Sequence, residues 1–376
     1  MWKFPFYEID QPIDWSAMEL KFDWFADMRG VQQDPVWHAE GDVFTHTKMV
    51  VEALVDLPEF ESLSEQEKHI LFAAAMLHDV EKRSTTQIEI IDGKERIVSP
   101  RHAKKGEITT RNLLYEQFQV PFAIREQIAK LVRLHGLPLW AIGKDDPRKA
   151  VIESSLSVNN KLLAMLATAD VLGRICDDQE EILLKIALFK ELCLENDCYE
   201  KPKTFSSDYG KFLYLNKRDI SPDYDPFDDL KFEVIMMCAL PGIGKDTYIS
   251  RNLDLPVLSL DEIRRENKID PTDKKGNGRV IQIGKERARE YMRKQTSFVF
   301  NATNISSDVR SKWISLFLEY RAKVKIIYLE VPYKQMMSQN RNREYIVPDK
   351  VIDKMRYKLE LPGFSEAHQV EFVVKE

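Results

Sequence analysis

The stretch Val234-Ile-Met-Met-Cys-Ala-Leu-Pro-Gly-Ile-Gly-Lys-Asp-Thr247 constrains the fold more than any other part of the chain. An apolar run of strand length enters a Pro-Gly turn, passes a second glycine and a lysine, and continues into a segment fit for a helix. That is the order a phosphate-binding loop requires. Such a loop works because N–H groups of the turn and of the helix N-terminus point at phosphate oxygens, while Gly242 and Gly244 let the chain approach them. Lys245 reaches the outer phosphates, and Pro241, Gly242, Ile243, Gly244, Lys245, Asp246 and Thr247 form the expected nucleotide cradle. Two positions depart from the pattern G-x-x-x-x-G-K-[ST]. Ala239 stands where the first glycine belongs, and Asp246 stands where the magnesium-binding hydroxyl belongs.

A chain of 376 residues has room for two domains and two cores. Its apolar runs fall short of the roughly 18 residues a membrane span needs, and the opening Met-Trp-Lys-Phe-Pro-Phe lacks the layout of a signal peptide. A cytoplasmic protein without a membrane partner is expected. Cys176, Cys193, Cys198 and Cys238 show neither Cys-x-x-Cys spacing nor a disulfide framework. A net charge of −6 argues against coating long nucleic acid through a general positive field, and it permits local basic pockets for a nucleotide or a nucleic-acid end.

Residues 1–200 have mostly helical spacing and form one expected domain. Within it, Ile88 to Val98 reads as two short strands around Asp92-Gly93. Residues 201–230 carry Lys-Pro, Ser-Ser, Tyr-Gly and Asp-Tyr-Asp-Pro, the marks of irregular chain. This linker holds too many aromatics for a free tether, so it is expected to pack along both domains. Residues 231–376 alternate strand candidates (Phe232 to Cys238, Val257 to Leu260, Ser297 to Phe300, Val324 to Leu329, Val370 to Val374) with helical patterns. This alternation predicts an α/β domain with a parallel sheet.

In the first domain, His38, His46, the pair His78-Asp79, His102, His135 and Asp170 come from separate helical segments. Imidazoles and carboxylates gathered in this way are what a hydrolytic divalent-metal centre needs, since the ion must be held while positions stay open for water and a phosphate oxygen. A hydrogen-bonded structural histidine is the competing reading for any one of them alone. Arg101, Lys104 and Lys105 surround His102 and read equally as phosphate-binding charge or as a solvated basic turn.

In the second domain, ligands are expected at the carboxyl ends of the strands. Asp261 follows the second strand and could take a proton from an attacking hydroxyl, with Arg264 holding a neighbouring phosphate; a helix-capping Asp261 is the alternative. After the third strand comes Asn301-Ala-Thr-Asn304, an amide at a position where many small P-loop kinases carry an acid. Arg341 and Arg343, in a polar stretch before a helix, suit a lid that neutralises a transferring phosphoryl group, or a solvated basic helix.

Trp37-His38-Ala-Glu40-Gly41-Asp42-Val43-Phe44-Thr-His46-Thr47, with Leu77-His78-Asp79-Val80-Glu81-Lys82, resembles the HD phosphohydrolase superfamily, particularly the HD domains of CCA-adding enzymes, over about residues 30 to 175. The resemblance implies an all-α HD domain in which His46, His78, Asp79 and Asp170 bind one metal. It also implies that His102 and His135 help bind a second metal or the scissile phosphate, and that His38, Lys82 and Arg174 face the substrate. The expected ions are one or two of Mn2+, Ni2+, Co2+ or Zn2+. Pro241-Gly242-Ile-Gly244-Lys245, Asp261-x-x-Arg264, Asn301-Ala-Thr-Asn304 and Arg341-x-Arg343 look like the 5′-OH polynucleotide kinase branch of P-loop phosphotransferases, which implies ATP or another NTP with Mg2+, and Asp246 close to that ion. The order and size of the two domains are similar to the bacterial HD-Pnk family. This implies 5′-OH phosphorylation and removal of 2′,3′-cyclic, 2′ or 3′ phosphate at RNA or DNA ends, with a ligase acting downstream. Two other readings stay open: an HD nucleotidase fused to a nucleoside or small-metabolite kinase, and a non-catalytic HD module that binds or senses and regulates the kinase.

Overall fold

The structure, a computed structural model, describes residues 1–375. The chain divides into two compact units, Met1–Lys203 and Thr204–Glu376.

The first unit is helical apart from one hairpin. Two of its helices are buried on nearly every side, Glu65–Leu77 and Asn160–Leu172, as expected for central helices. Ser64 and Glu67 start the former with a capping box, and Asn159 caps the latter through Lys161 N. Around them pack Val43–Val55, His102–Glu116 and Phe122–Leu134. The core is Leu, Ala, Val and Met from these faces, with Tyr7 stacked on Phe72 and Phe4 set edge-on to Phe22 and tilted against Phe72. The hairpin pairs β1 (Gln87–Ile91) with β2 (Lys94–Val98). Asp92 and Gly93 both have positive φ, the geometry of an Asp-Gly turn matched to strand twist.

A buried charge network joins the helices His102–Glu116 and Phe122–Leu134. Arg111 donates to Glu107 at 2.7 Å and to Glu126 at 2.8 Å, and Arg125 also reaches Glu126 at 2.8 Å. Burial opposes the Glu107 charge, but Arg111 and Lys130 outweigh it and hold its carboxyl at about 2. These paired charges fix how the two helices meet, and each brings one histidine of the cluster described below.

The second unit is an α/β domain around a parallel five-stranded sheet ordered β4-β5-β3-β6-β7. The strands are β3 (Glu233–Cys238), β4 (Val257–Ser259), β5 (Phe298–Asn301), β6 (Lys323–Glu330) and β7 (Gln369–Val374). The strand that feeds the Gly-rich loop is central, with Val234 opposite both Phe298 and Val324. Both of its faces are covered, so β3 and β5 read as continuous apolar runs. From Thr204 onward the irregular stretch belongs to this unit and contains the helix Asp208–Asn216. There Phe212 stacks on His368 with ring centroids 4.1 Å apart, and Asn216 donates to Ser365 O at 2.8 Å.

Candidate functional sites

The first site is assembled by helix ends. His78 is the C-cap of Glu65–Leu77 and His135 the C-cap of Phe122–Leu134. Each turns its Nδ1 to the carbonyl three residues back, His78 to Ala75 O at 2.7 Å and His135 to Val132 O at 2.8 Å. His102, the first residue of its helix, does the same to Ser99 O at 2.7 Å. A carbonyl only accepts, so each Nδ1 carries the proton and each Nε2 presents a lone pair. Two of these lone pairs face each other, His102 Nε2 lying 3.4 Å from His135 Nε2, and His78 Nε2 lies 3.4 Å from His46 Nε2.

Asp79 stands at the centre, almost fully buried. Its Oδ2 is 3.3 Å from His78 Nε2 and 3.8 Å from His46 Nε2, while Oδ1 is 3.3 Å from His102 Nε2 and 3.9 Å from His135 Nε2. Asp170 Oδ1 closes the first group, 3.1 Å from His46 Nε2. Oδ1 of Asp79 has no hydrogen-bond donor although it is buried. Lone pairs aimed at one another and an orphaned carboxylate oxygen are costly unless cations lie among them. The set therefore fits divalent metal: His46, His78 and Asp79 form one group of ligand atoms, and Asp79, His102 and His135 form another that shares the carboxylate. Imidazole with carboxylate suits the first-row ions from manganese to zinc.

Surrounding groups set the charge of these side chains. Burial opposes the Asp79 charge, but Lys82, His78 and His102 outweigh it and keep the carboxyl well below its usual range. Asp170 is held low in the same way by Arg174 and His46 against burial. Burial pushes the His135 imidazole down to about 4, which leaves it neutral near pH 7. Lys82 and Arg174, both expected at the substrate, have carboxylate partners here. Lys82 Nζ donates to Asp79 Oδ2 at 2.7 Å and to Gln33 Oε1 at 2.7 Å; Arg174 grips Asp170 with two nitrogens at 3.1 and 2.5 Å. His38 lies at the edge, one-tenth exposed, with its ring centroid 4.8 Å from that of His46.

Sequence reasoning missed Glu40. Its fully buried carboxylate accepts from His38 Nδ1 at 2.8 Å and from Ile175 N at 2.9 Å. It also lies 2.8 Å from His46 Nδ1. Glu40 thus joins the edge histidine, a cluster histidine and the chain segment that follows Arg174. Its closeness to His38 in sequence is the signal that could have found it. His69, by contrast, takes no part in the cluster: its Nδ1 accepts from Phe4 N at 3.2 Å.

The second site forms at the carboxyl end of β3. The chain leaves Cys238, turns through Gly242 and Gly244, and enters the helix Lys245–Asn252 with Gly244 as N-cap. Positive φ occurs in this loop only at Gly242 (83°) and Gly244 (93°), so Ala239 loses nothing by not being glycine. At Gly242 a side chain would also meet Met336 O at 2.9 Å, because the helix Tyr333–Arg341 rests on the loop. The segment after β5 braces the loop: Asn304 donates to Met237 O at 2.8 Å, and Ala239 N donates to Thr303 O at 3.0 Å. Burial lowers the Lys245 ammonium pKa, with Asp246 and Asp261 opposing and Arg343 reinforcing. Those four charged groups therefore lie within electrostatic reach of one another.

Ser259, not Asp261, caps the helix Leu260–Glu266, its side chain accepting from Glu262 N. Asp261 is left exposed beside the loop and ion-paired with Arg264, which Asn277 Oδ1 holds through Nε at 2.8 Å. Arg341 ends the helix Tyr333–Arg341 and lies 3.5 Å from Asp349, largely exposed. Asn340 fixes the turn that follows through two hydrogen bonds with the Val347 backbone, at 2.7 and 3.1 Å. Asp246, the unusual residue of the loop, accepts from Asn301 Nδ2 at 2.7 Å.

Among the described residues no helix is long and apolar enough to cross a membrane. Residues 234–362 match the family model described as an AAA domain. A crystal structure of a proposed kinase from Chloroflexus aurantiacus is similar at 15% identity with a TM-score of 0.33, covering 39% of this chain and 87% of that one. Central β3, the glycine loop that follows it and the family match over 234–362 make the second unit a P-loop, kinase-like α/β domain that takes a nucleotide with Mg2+.

Proposed function

We propose that the chain is a bifunctional nucleic-acid end-healing enzyme of the HD-Pnk kind, with an HD-type phosphohydrolase centre in the first unit and a 5′-OH polynucleotide kinase in the second. The observation that carries the reading is the sharing of Asp79 between two histidine groups in a chain that also carries the P-loop. A phosphate ester is the substrate type common to both sites.

In the kinase, Lys245 and the amides of Gly242 to Thr247 hold the NTP phosphates. Asp261 accepts the proton of the 5′-OH as that oxygen attacks the γ-phosphorus, and ADP or the corresponding NDP leaves. Arg264 binds the phosphate next to the acceptor, and Arg341 with Arg343 offset charge on the transferred group. In the first unit, His46, His78, Asp79 and Asp170 hold one cation, and Asp79, His102 and His135 a second. When bound, such cations supply Lewis acidity to a phosphate oxygen and to water. Lys82 and Arg174 keep Asp79 and Asp170 ionised, and His38 orients the incoming ester at the edge.

The test offers the full chain oligonucleotides of RNA and DNA with 5′-OH, 2′,3′-cyclic phosphate or 3′-phosphate ends, alongside nucleosides and nucleotides. Phosphate gained at 5′ ends and lost at 3′ ends supports the reading. Transfer to nucleosides alone would instead make it a small-molecule kinase, and metal-independent or absent hydrolysis would make the first unit a binding module.

A further inference from the structure

Asp246 of the loop and Asn301 at the end of β5, each unusual for a P-loop kinase, touch each other. Asp246 replaces the hydroxyl residue that serves magnesium in such loops, and Asn301 occupies the strand-end position where an acid commonly helps hold the ion. Asn301 closes β5 and is buried, and its Nδ2 lies 2.7 Å from Asp246 Oδ1. A carboxylate has no hydrogen to give, so the amide nitrogen is the atom that must face it.

This pairing is chemically selective. Were residue 301 also an acid, two carboxylates at hydrogen-bond distance would repel and one would be driven to take up a proton. Were residue 246 a serine with asparagine kept at 301, neither position would supply an anionic oxygen. Asp246 is exposed and its second oxygen has no hydrogen-bond partner among the described residues, so that oxygen can face a ligand above the loop. Mg2+ takes oxygen ligands and is commonly held by one or two carboxylates together with substrate phosphates.

We infer that in this loop the metal-serving acid has moved from the end of β5 to the first turn of the Lys245 helix, and that Asn301 is a positioning residue that fixes Asp246 by occupying Oδ1. The inference rests on the nucleotide-binding reading of the second unit. It makes the two residues interdependent, since each is suited to its place only while the other keeps its identity.

The test measures how much Mg2+ tightens binding of a fluorescent ATP analogue to the full chain, with melting temperature as the folding control. Asp246→Asn keeps the shape and an amide pair but removes the charge, and should cut the Mg2+-dependent tightening by about tenfold, the scale on which changes around a metal act. Affinity without Mg2+ should not fall, since the charge removed is one that repels the triphosphate. Asp246→Ser alone and Asn301→Asp alone should each also weaken the Mg2+ effect, whereas the two together restore the commoner arrangement. The double variant should exceed the product of the single effects by about tenfold, within the range for contacting residues. Unaltered Mg2+ tightening in Asp246→Asn overturns the role of Asp246, and strictly multiplicative effects in the double variant overturn the coupling. If wild type and Lys245→Ala bind the analogue equally poorly, the nucleotide reading falls and this inference falls with it.

Discussion

Replacing Gly173 by alanine tests whether the histidine cluster depends on how closely two helices approach. Gly173 is the C-cap of the Asn160–Leu172 helix, three residues beyond Asp170, and its φ of −78° is ordinary for any residue. Glycine is needed there for space: a Cβ would lie 2.7 Å from Val50 N and 2.8 Å from Val50 Cα, in the helix that carries His46. Backbone cannot swing aside as a side-chain tip can, so about 0.7 Å of separation must open to reach ordinary contact at 3.4 Å. Overpacking of this kind costs about 1–3 kcal/mol, which should appear as a lower melting temperature. The His46 Nε2 to Asp170 Oδ1 distance, now 3.1 Å, spans the same interface and should lengthen. Displacement approaching 1 Å in a reacting site can cost about 100-fold in rate. We therefore expect Gly173→Ala to lose bound Mn2+ during dialysis and to hydrolyse an aryl phosphodiester at least tenfold more slowly, roughly, on the same reasoning. Gly143→Ala, whose Cβ would meet nothing, serves as the control. A Gly173→Ala protein with wild-type melting, metal content and hydrolysis would refute the packing argument.

Further expectations concern the two sites separately and one buried histidine. Lys245→Ala and Asp261→Ala should each abolish phosphate transfer and leave hydrolysis unchanged; joint loss of both activities in a folded protein would end the two-site account. Asp79→Ala should lose metal on dialysis and His38→Ala should keep it, and equal retention by inductively coupled plasma analysis would remove Asp79 from the ligands. His368, buried against Phe212, accepts from Val324 N at 3.0 Å, and burial lowers its pKa from 6.5 to about 4. Below pH 6.5 an unfolded chain takes up a proton that the folded one does not. Its contribution is thus complete above pH 6.5 and is lost as pH falls toward 4, by about 3 kcal/mol on the scale of ~1.4 per pH unit. Denaturant titrations from pH 7 to 4.5 should show a shallower loss in His368→Asn, and identical slopes would rule His368 out as the cause.

All five strands of the second unit were legible because each is an apolar run bounded by turns, and the parallel order follows from the helical segments between them. The glycine loop was legible because its geometry demands glycine at two fixed points. The histidines and acids that the structure gathers in the first unit were legible as residue types, because an acid and a histidine following the buried run Leu71–Leu77 stand out against their apolar surroundings. What sequence could not supply was partnership. His69 and His78 are the same residue nine positions apart on one helical segment, yet one accepts from Phe4 N and the other faces Asp79. Asp170 meets His46 across 124 residues, and Asn301 meets Asp246 across 55. The substrate-facing role of Lys82 and Arg174 came from the family resemblance, and the sequence carried no sign of the carboxylates, Asp79 and Asp170, with which they pair. Ser259 holds the cap that was the alternative reading for Asp261, through a two-residue difference in where the helix begins, a margin no propensity resolves.

Three rings of the cluster are locked by carbonyls at helix ends, and this bears on what an ion must do to enter. A ring already held in one rotamer has little torsional freedom left to lose, so capture of a cation should carry only a small entropic penalty from the ligands themselves. This is the opposite of a zinc finger, in which the ion organises a chain that is unfolded without it. The first unit should accordingly stay folded in chelator and reload without a refolding lag. Its choice among ions would then be set by how well each one's preferred radius and coordination suit a rigid frame, not by how far the protein can be induced to wrap around it.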